Sequence, residues 1–470
     1  LPRLNAPITP LVLAVSLFME QMDSTVIATS LPAIAADIGT SPVSLKLAVT
    51  SYLVALAIFI PISGWMADRF GAKHVFRLAI GIFAMGSVAC AFAGSIEGFV
   101  LARFLQGIGG SMMTPVGRLI LVRATRREDL VSAMAWLTIP ALIGPLLGPP
   151  LGGFLTTYLS WHWIFWINVP ISVAGILLVT RFLEDGAPRE PRPIDLPGFV
   201  LCGLAVAGIV FGMSVVSLPA LPIAYGYATI AIGLAASLGY VRHARRAPFP
   251  LLDPAMLRHP LFRAGILGGS LFRIGIGAIP FLLPLMLQLG FGLDAFHSGL
   301  VTFVAAAGAL SSKFVARRAF RAFGFRDLLG FGALASALFI AINASFTPAT
   351  PVALIMACLY AGGVLRSLYF TGVNALVFAE VTDADSSQAT AINAVAQQIS
   401  LATGVALAGA ILDVSSRARG GAAGLTLADF HTAFLGVAGV AVIAAAVFLR
   451  LPREAGAAVS GHRARPAPAE

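Results

Sequence analysis

Glu20 and Asp23 are the residues of this chain best suited to chemistry, because both lie inside an apolar stretch that runs from Pro10 to Leu31. A spacing of three puts the two carboxylates on one helix face. Shielded from bulk water, such groups can take up and release a proton as their surroundings change. Of the 21 acidic residues only these two sit well within an apolar window, and none of the 7 histidines is central. A proton crossing the molecule therefore has almost no other carrier. Three cations share the same setting: Arg103, Arg273 and Arg366. A bare guanidinium inside a membrane costs several kcal/mol unless it is paired or hydrated, so each must face an acid, a cavity or water. Counting from Pro32 at 1.5 Å per residue places Asp23 about 14 Å deep, comparable with Arg103, so the two can pair. Gln106 follows Arg103 by one turn on the same face. Three roles are open to Glu20: a second proton site, a cation-binding group, or a buffer for Asp23.

The elements that must position these groups follow from composition. The chain has 470 residues, 58% hydrophobic and 11% charged, with a mean hydropathy of +0.90. A soluble chain carries about 25% charged residues, so this one cannot coat a soluble surface, and an all-α polytopic membrane protein is expected. Apolar windows long enough to span number fourteen, at roughly 10–32, 45–66, 75–94, 98–122, 130–156, 163–183, 197–218, 221–241, 264–290, 295–316, 328–346, 351–378, 390–412 and 431–450. An even number puts both termini on one side. Most of the 31 Lys and Arg residues fall in alternate connections, including Arg69, Lys73, Arg118, Arg123, Arg242, Arg258, Lys313 and Arg326, which orients that side and both termini to the cytoplasm. Glu184 to Pro193 is a polar, proline-broken linker, and no charge occurs between Val200 and Tyr240. The expected organisation is a six-helix bundle over 1–183, a linker with two inserted helices over 184–263, a second six-helix bundle over 264–450, and a cytoplasmic tail over 451–470.

The same reading excludes other classes. The net charge of +10 is spread over many short loops and so orients spans rather than binding nucleic acid. Lys46, Lys73 and Lys313 are followed by Leu, His and Phe, so no phosphate-binding GxxxxGK[ST] loop exists, and no ATPase subunit is expected. Cys90, Cys202 and Cys358 lie in apolar runs without metal-ligand or disulfide spacing, so no metal is expected. No HExxH, GxSxG or His/Asp array marks an intramembrane enzyme. The first apolar stretch is too long for the core of a signal peptide and ends without a small-residue cleavage site.

Several motifs carry a resemblance. Gly64, Asp68, Arg69, Gly71 and Lys73 form Gly-x3-Asp-Arg-x-Gly-x-Lys between the second and third windows. Arg103-x-x-Gln106-Gly107 lies in the fourth, and Pro140 precedes Gly144-Pro145-x-x-Gly148-Pro149-x-x-Gly152-Gly153 in the fifth. Asp23-x-Thr25-Val26 leads to Leu31-Pro32, and Trp161 to Pro170 ends in Asn168-Val169-Pro170. Together these resemble the major facilitator superfamily, and within it the fourteen-helix drug:proton antiporter family. The second-half counterpart of the Asp-Arg-x-Gly-x-Lys motif, Arg321 to Arg326, keeps Gly324 but lacks the acid, and resembles a degenerate internal repeat. The resemblance implies a major facilitator fold and a proton-coupled antiporter that exports small organic compounds by alternating access. It further implies a bacterial inner-membrane location, no cofactor beyond the proton gradient, and a monomer among membrane lipids. By that resemblance Asp23 is the proton site, released and reloaded on opposite sides. Asp68 and its basic neighbours form a cytoplasmic gate, its partner left open, and the Gly/Pro run marks exchange.

Charge bears on the substrate. Two acids face three arginines inside the spans, which suits an organic anion, or a metal-carboxylate chelate such as citrate, better than a lipophilic cation. The opposing reading pairs Arg273 and Arg366 with the acids or with helix C-termini. Gln106, Arg273, Gln288, Arg366, Tyr369 and Asn374 are the candidates to line a substrate cavity. Phe272, Phe281, Tyr360 and Phe370 are aromatic candidates, while Gln397 and Gln398 suit helix packing equally well.

Overall fold

Runs of apolar residues longer than 18, broken by Gly, Pro and charge, have one stable form in hydrocarbon, the helix that satisfies its own backbone. The computed structural model describes residues 8–125, 130–184, 193–216, 222–382, 385–419 and 424–456, and every regular element among them is helical. The residues 185–192 of the polar linker and 457–470 of the tail lie outside the described residues, as do the side chains of Pro140, Lys313 and Arg317.

The α-helices in chain order are α1 (Ile8–Val26), α2 (Leu31–Ile38), α3 (Lys46–Phe70), α4 (Ala72–Ala91), α5 (Ile96–Ala124), α6 (Leu130–Tyr158), α7 (Trp163–Trp166), α8 (Asn168–Phe182), α9 (Leu196–Val216) and α10 (Ile223–Ala244). They continue with α11 (Pro260–Gly277), α12 (Ile279–Leu285), α13 (Ala295–Ile342), α14 (Val352–Val377), α15 (Ser386–Ala418) and α16 (Leu427–Leu449). Among the described residues, 12 helical segments are long and apolar enough to cross a membrane. That is fewer than the fourteen windows of the sequence. The windows at 98–122 and 130–156 form α5 and α6, each 29 residues long, and α5 carries Glu97, Arg103, Arg118 and Arg123. Several windows also prove composite. The first is α1 continued through a 3-10 turn at Ile27–Thr29, and the ninth is α11 and α12 with a π-helical end at Met286–Gly290. The tenth and eleventh are two separate spans, the two limbs of α13, which meet at a kink at Gly324, where φ is +70. Gly71, between α3 and α4, has φ +86. Both turns need a conformation that side chains with a Cβ avoid, and both glycines belong to the repeated motif.

The chain divides into two compact units: residues 1–251 with 283–303, and residues 252–282 with 304–470. In the first unit α1 lies along α6, and α5 between α3 and α4, with α8 against α1 and α4. Its core gathers Leu13, Leu17, Phe76, Phe83, Met113 and Leu121, all nearly or fully excluded from the surface. The inserted helices α9 and α10 pack on each other, and α9 rests on α3. Gly208 and Gly233 meet there so closely that a Cβ on either would strike the other backbone. In the second unit α11 is the centre, touching α14, α15 and α16.

Candidate functional site

The apolar rows of α1, α5 and α8 bring four polar side chains to one buried point. Asp23 on α1 is 0% exposed and Arg103 on α5 is 1% exposed. Arg103 Nη1 donates to Asp23 Oδ2 at 2.8 Å, Gln106 Nε2 to Asp23 Oδ1 at 2.9 Å, and Asn168 Nδ2 to the same Oδ1 at 2.8 Å. Arg103 Nη1 also donates to Gln106 Oε1 at 2.6 Å, so the two members of the α5 motif orient each other. Ser87 on α4 accepts from Asn168 at 3.0 Å and from Gln106 at 3.4 Å, and its hydroxyl donates to the Phe165 carbonyl at 3.0 Å. The guanidinium lies over the Tyr52 ring, 4.4 Å from its centre. A buried ion pair is sustained only when its remaining lone pairs and protons are satisfied, and Asp23 has three donors doing so.

Glycine makes this approach possible. A Cβ at Gly107 would strike α3 at Tyr52 and Ala55, and one at Gly109 would strike α4 at Phe83, so α5 sits deep between them and Arg103 cannot reach solvent.

Glu20, one turn from Asp23 and also buried, has a different environment. Its Oε2 accepts one hydrogen bond, 2.8 Å from Thr114 Oγ1 on α5, with Arg118 one turn further along that helix. The two carboxylates thus share a face but not a partner.

The remaining candidates fall in three places. Asp68, at the end of α3, meets Arg123 at the end of α5 at 2.5 Å, both about one-third exposed, which supplies the partner that the sequence left open. Arg69 is exposed, and Gly64 has no neighbour within 4 Å of an added Cβ. In α6 the motif runs as unbroken helix through Pro145, Pro149 and Pro150. Its glycines form a strip: Gly144, Gly148 and Gly152 abut α1 from Phe18 to Thr29, and Gly153 abuts Ala295 and Phe296. The motif is therefore the surface on which the carboxylate helix lies.

In the second unit, Arg273 on α11 is 1% exposed, and among the described residues it hydrogen-bonds only Asn374 and Asn393, at 3.4 Å each, with the Phe370 ring 5.7 Å away. Its Nε and Nη1 have no partner among the described residues. Tyr369 is spent on packing: its ring stacks on Phe272 and its hydroxyl donates to the Gly268 carbonyl at 3.1 Å. Tyr360 is exposed and bonds Ser311. Phe281 is buried in the core. Gln288 lies in the first unit, where its amide donates to the Thr29 carbonyl at 2.9 Å and closes the π-helical end onto the turn after α1. Arg366 lines a small cavity with Ser336 and Asn343. Asn168, Ser87 and Asn393 were not among the sequence candidates. Neutral polar residues inside spans carry no charge signal, and only Asn168 stood in a recognised motif.

Comparison with known proteins supplies the context for this geometry. A family model described as Major Facilitator Superfamily matches residues 13–252 and 265–470. A protein of Pectobacterium atrosepticum named "Putative multidrug resistance protein MdtD" is 35% identical over 442 residues, covering 94% of this chain and 95% of its own. The protein of the same name from Salmonella heidelberg is 34% identical over 452 residues, covering 94% of each. Among solved structures, a D-xylose-proton symporter superposes with a TM-score of 0.69 at 16% identity, over 95% of this chain and 98% of its own. A peptide transporter in complex with sulfate gives 0.69 at 14% identity, over 94% and 93%. At that identity the likeness is one of fold.

Proposed function

The chain belongs to the major facilitator superfamily of membrane transporters, and from that premise we propose that it is a proton-coupled antiporter. It exports small organic compounds across the bacterial inner membrane by alternating access between two six-helix bundles. Counting α5 and α6 as spans gives fourteen, six plus two plus six, with both termini cytoplasmic. The name of the MdtD relatives supports efflux of drug-like compounds.

The observation that carries the reading is the unequal treatment of the two buried carboxylates on α1. Asp23 accepts from Arg103, Gln106 and Asn168 in one buried network, whereas among the described residues Glu20 accepts a hydrogen bond only from Thr114. A group that must exchange a proton on every cycle needs few competing donors. Glu20 accordingly carries the proton, and Asp23, the carrier expected from the sequence, acts as the fixed counter-charge of Arg103. Neutralising Glu20 weakens its hold on α5, and the α1 face that slides on the α6 glycines is free to rock.

Reconstitution tests this. Glu20→Gln is expected to abolish pH-gradient-driven transport in proteoliposomes while leaving the protein folded. Asp23→Asn, which strips a buried arginine of its counter-charge, costs about 3–5 kcal/mol of stability in addition. Wild-type transport by Glu20→Gln would remove Glu20 as carrier, and wild-type transport by both variants would end proton coupling through α1.

Arg273 favours a second reading, export of an organic anion such as a carboxylate or its metal chelate. A buried guanidinium with two nitrogens unpartnered among the described residues, and amides as its hydrogen-bond acceptors, fits a carboxylate better than a lipophilic cation. Tight binding of a lipophilic cation that Arg273→Ala leaves unchanged would refute it.

A further inference from the structure

Apart from the α1 network and Arg273, two buried polar groups without partners among the described residues, Ser336 Oγ and Asn343 Oδ1, join Arg366 in lining one cavity. It lies within the second unit, and its lining includes Ile276, Ala305, Ser336, Asn343, Cys358 and Arg366. Arg366 stands near the middle of the 26-residue α14, and among the described residues it has no hydrogen-bond or ion-pair partner. Ser336 is 3% exposed and its Oγ is unpartnered. Asn343, in the 3-10 turn (Asn343–Ser345) that follows α13, is 4% exposed. Its amide nitrogen is used on the Phe339 and Ile340 carbonyls, at 2.8 and 3.2 Å, which leaves Oδ1 without a donor. Serine and asparagine so deeply buried are ordinarily satisfied, and a mid-span guanidinium ordinarily has a counter-charge.

We propose that this cavity is a structural anion site, in which Arg366 and the Ser336 hydroxyl bind a small monovalent anion of the chloride type. The donors are a guanidinium and a hydroxyl, both suited to an anion and neither to a cation. The cavity volume of about 30 Å³ has room for a small ion with a companion water. The remaining acceptor, Asn343 Oδ1, suits a companion water that donates to it and solvates the anion. The bound ion removes the cost of a bare guanidinium in hydrocarbon and ties α13 to α14, since Gly362 and Gly363 bring α14 against Phe339 and Ala305 of α13. The site is separate from the α1 carboxylates and from Arg273, so it stands whether or not transport is coupled to protons.

The test uses full-length protein in detergent, with chloride as the probe and gluconate as the balancing anion. Thermal stability is expected to rise saturably with chloride, and equilibrium dialysis with radioactive chloride to give one ion per chain. Losing one hydrogen bond to a charged partner makes Ser336→Ala bind about tenfold or more weakly. Arg366→Gln is expected to lose both the binding and the chloride dependence of stability, and Arg273→Gln to keep them. If Arg366→Gln fails to fold, Ser336→Ala still decides through its affinity. Absence of chloride binding by the unaltered protein, or equal binding by Ser336→Ala and the unaltered protein, overturns the proposal. So does displacement of bound chloride by an organic substrate with competitive kinetics, which would make this the transport site.

Discussion

Asp23 and Arg103 form a pair that neither side chain can leave cheaply. Three donors converge on one carboxylate, and two of them, Gln106 and Asn168, also lean on Ser87. Removing one member strands the others: Asn168→Ala is expected to cost about 1–3 kcal/mol, read as a lowered melting temperature in detergent, with a smaller loss for Ser87→Ala. Asn168→Asp would place a second carboxylate beside Asp23 and should be the more damaging change. The charged members of this cluster were legible in the sequence because charge inside an apolar window is costly and so conspicuous. Their depth along the helix even permitted the pair to be anticipated. The amides and hydroxyls were not legible, because Ser and Asn occur in spans for packing as often as for chemistry. For the same reason Gln288 looked like a ligand group, while in the fold it ties the π-helical end to Thr29.

At the scale of elements, the apolar windows coincide with helices, and the differences lie where a span is built of more than one helical piece. The windows at 295–316 and 328–346 are the two limbs of α13, and the glycine between them makes the kink at which they meet. The inserted pair shows how a polar end is fastened. Asp195 caps the start of α9 by accepting from Gly198 N–H at 2.9 Å, and it also accepts from Leu251 N–H at 3.1 Å and pairs with His243 at 2.6 Å. Burial alone would raise its pKa, but the hydrogen bonds from His243 and the two backbone N–H groups outweigh it and hold the carboxyl below its ordinary 3.8. A depressed folded value means that the stabilisation is complete above pH 3.8 and is lost as pH falls through the lower, folded value. Asp195→Asn is therefore expected to lower stability by about 1 kcal/mol at neutral pH, and to flatten the acid limb of a stability profile measured by thermal melts. A variant whose acid limb matched the unaltered protein would show that this cap is not the titrating group.

For the whole molecule, the distribution of basic residues makes a claim about sidedness. Cysteine introduced at His74, between α3 and α4, should react with an impermeant maleimide only from the cytoplasmic side, and one at Ala93, beyond α4, only from outside. The opposite pattern would reverse the orientation of every helix. The native Cys90 and Cys202 are buried and Cys358 partly so, and Cys90 is best retained because its Sγ lies 3.9 Å from Gln106 Oε1. The superfamily was legible from short motifs because each is a packing or pairing device: a tight turn at Gly71, a close approach at Gly107, a glycine strip in α6. Substrate identity was not, because it depends on which side chains face a cavity, and spacing alone does not decide that.

The unequal lengths of the helices have a mechanical consequence. At 1.5 Å per residue the 29-residue α5 is about 43 Å long and the 21-residue α9 about 32 Å, against roughly 30 Å of hydrocarbon. Even tilted at 40°, the upper end of the usual range, α5 still projects past the oil, and its last turn carries Arg123, with Asp68 bound to it, into the headgroup layer. The inserted helices have almost no such excess. A bilayer that thins or thickens by a few ångströms would thus mismatch α9 and α10, like the 20-residue α4, before α5, and move the Asp68–Arg123 contact between water and lipid headgroups. Lipid chain length is accordingly a control variable for this protein, to be held fixed whenever its transport rates are compared.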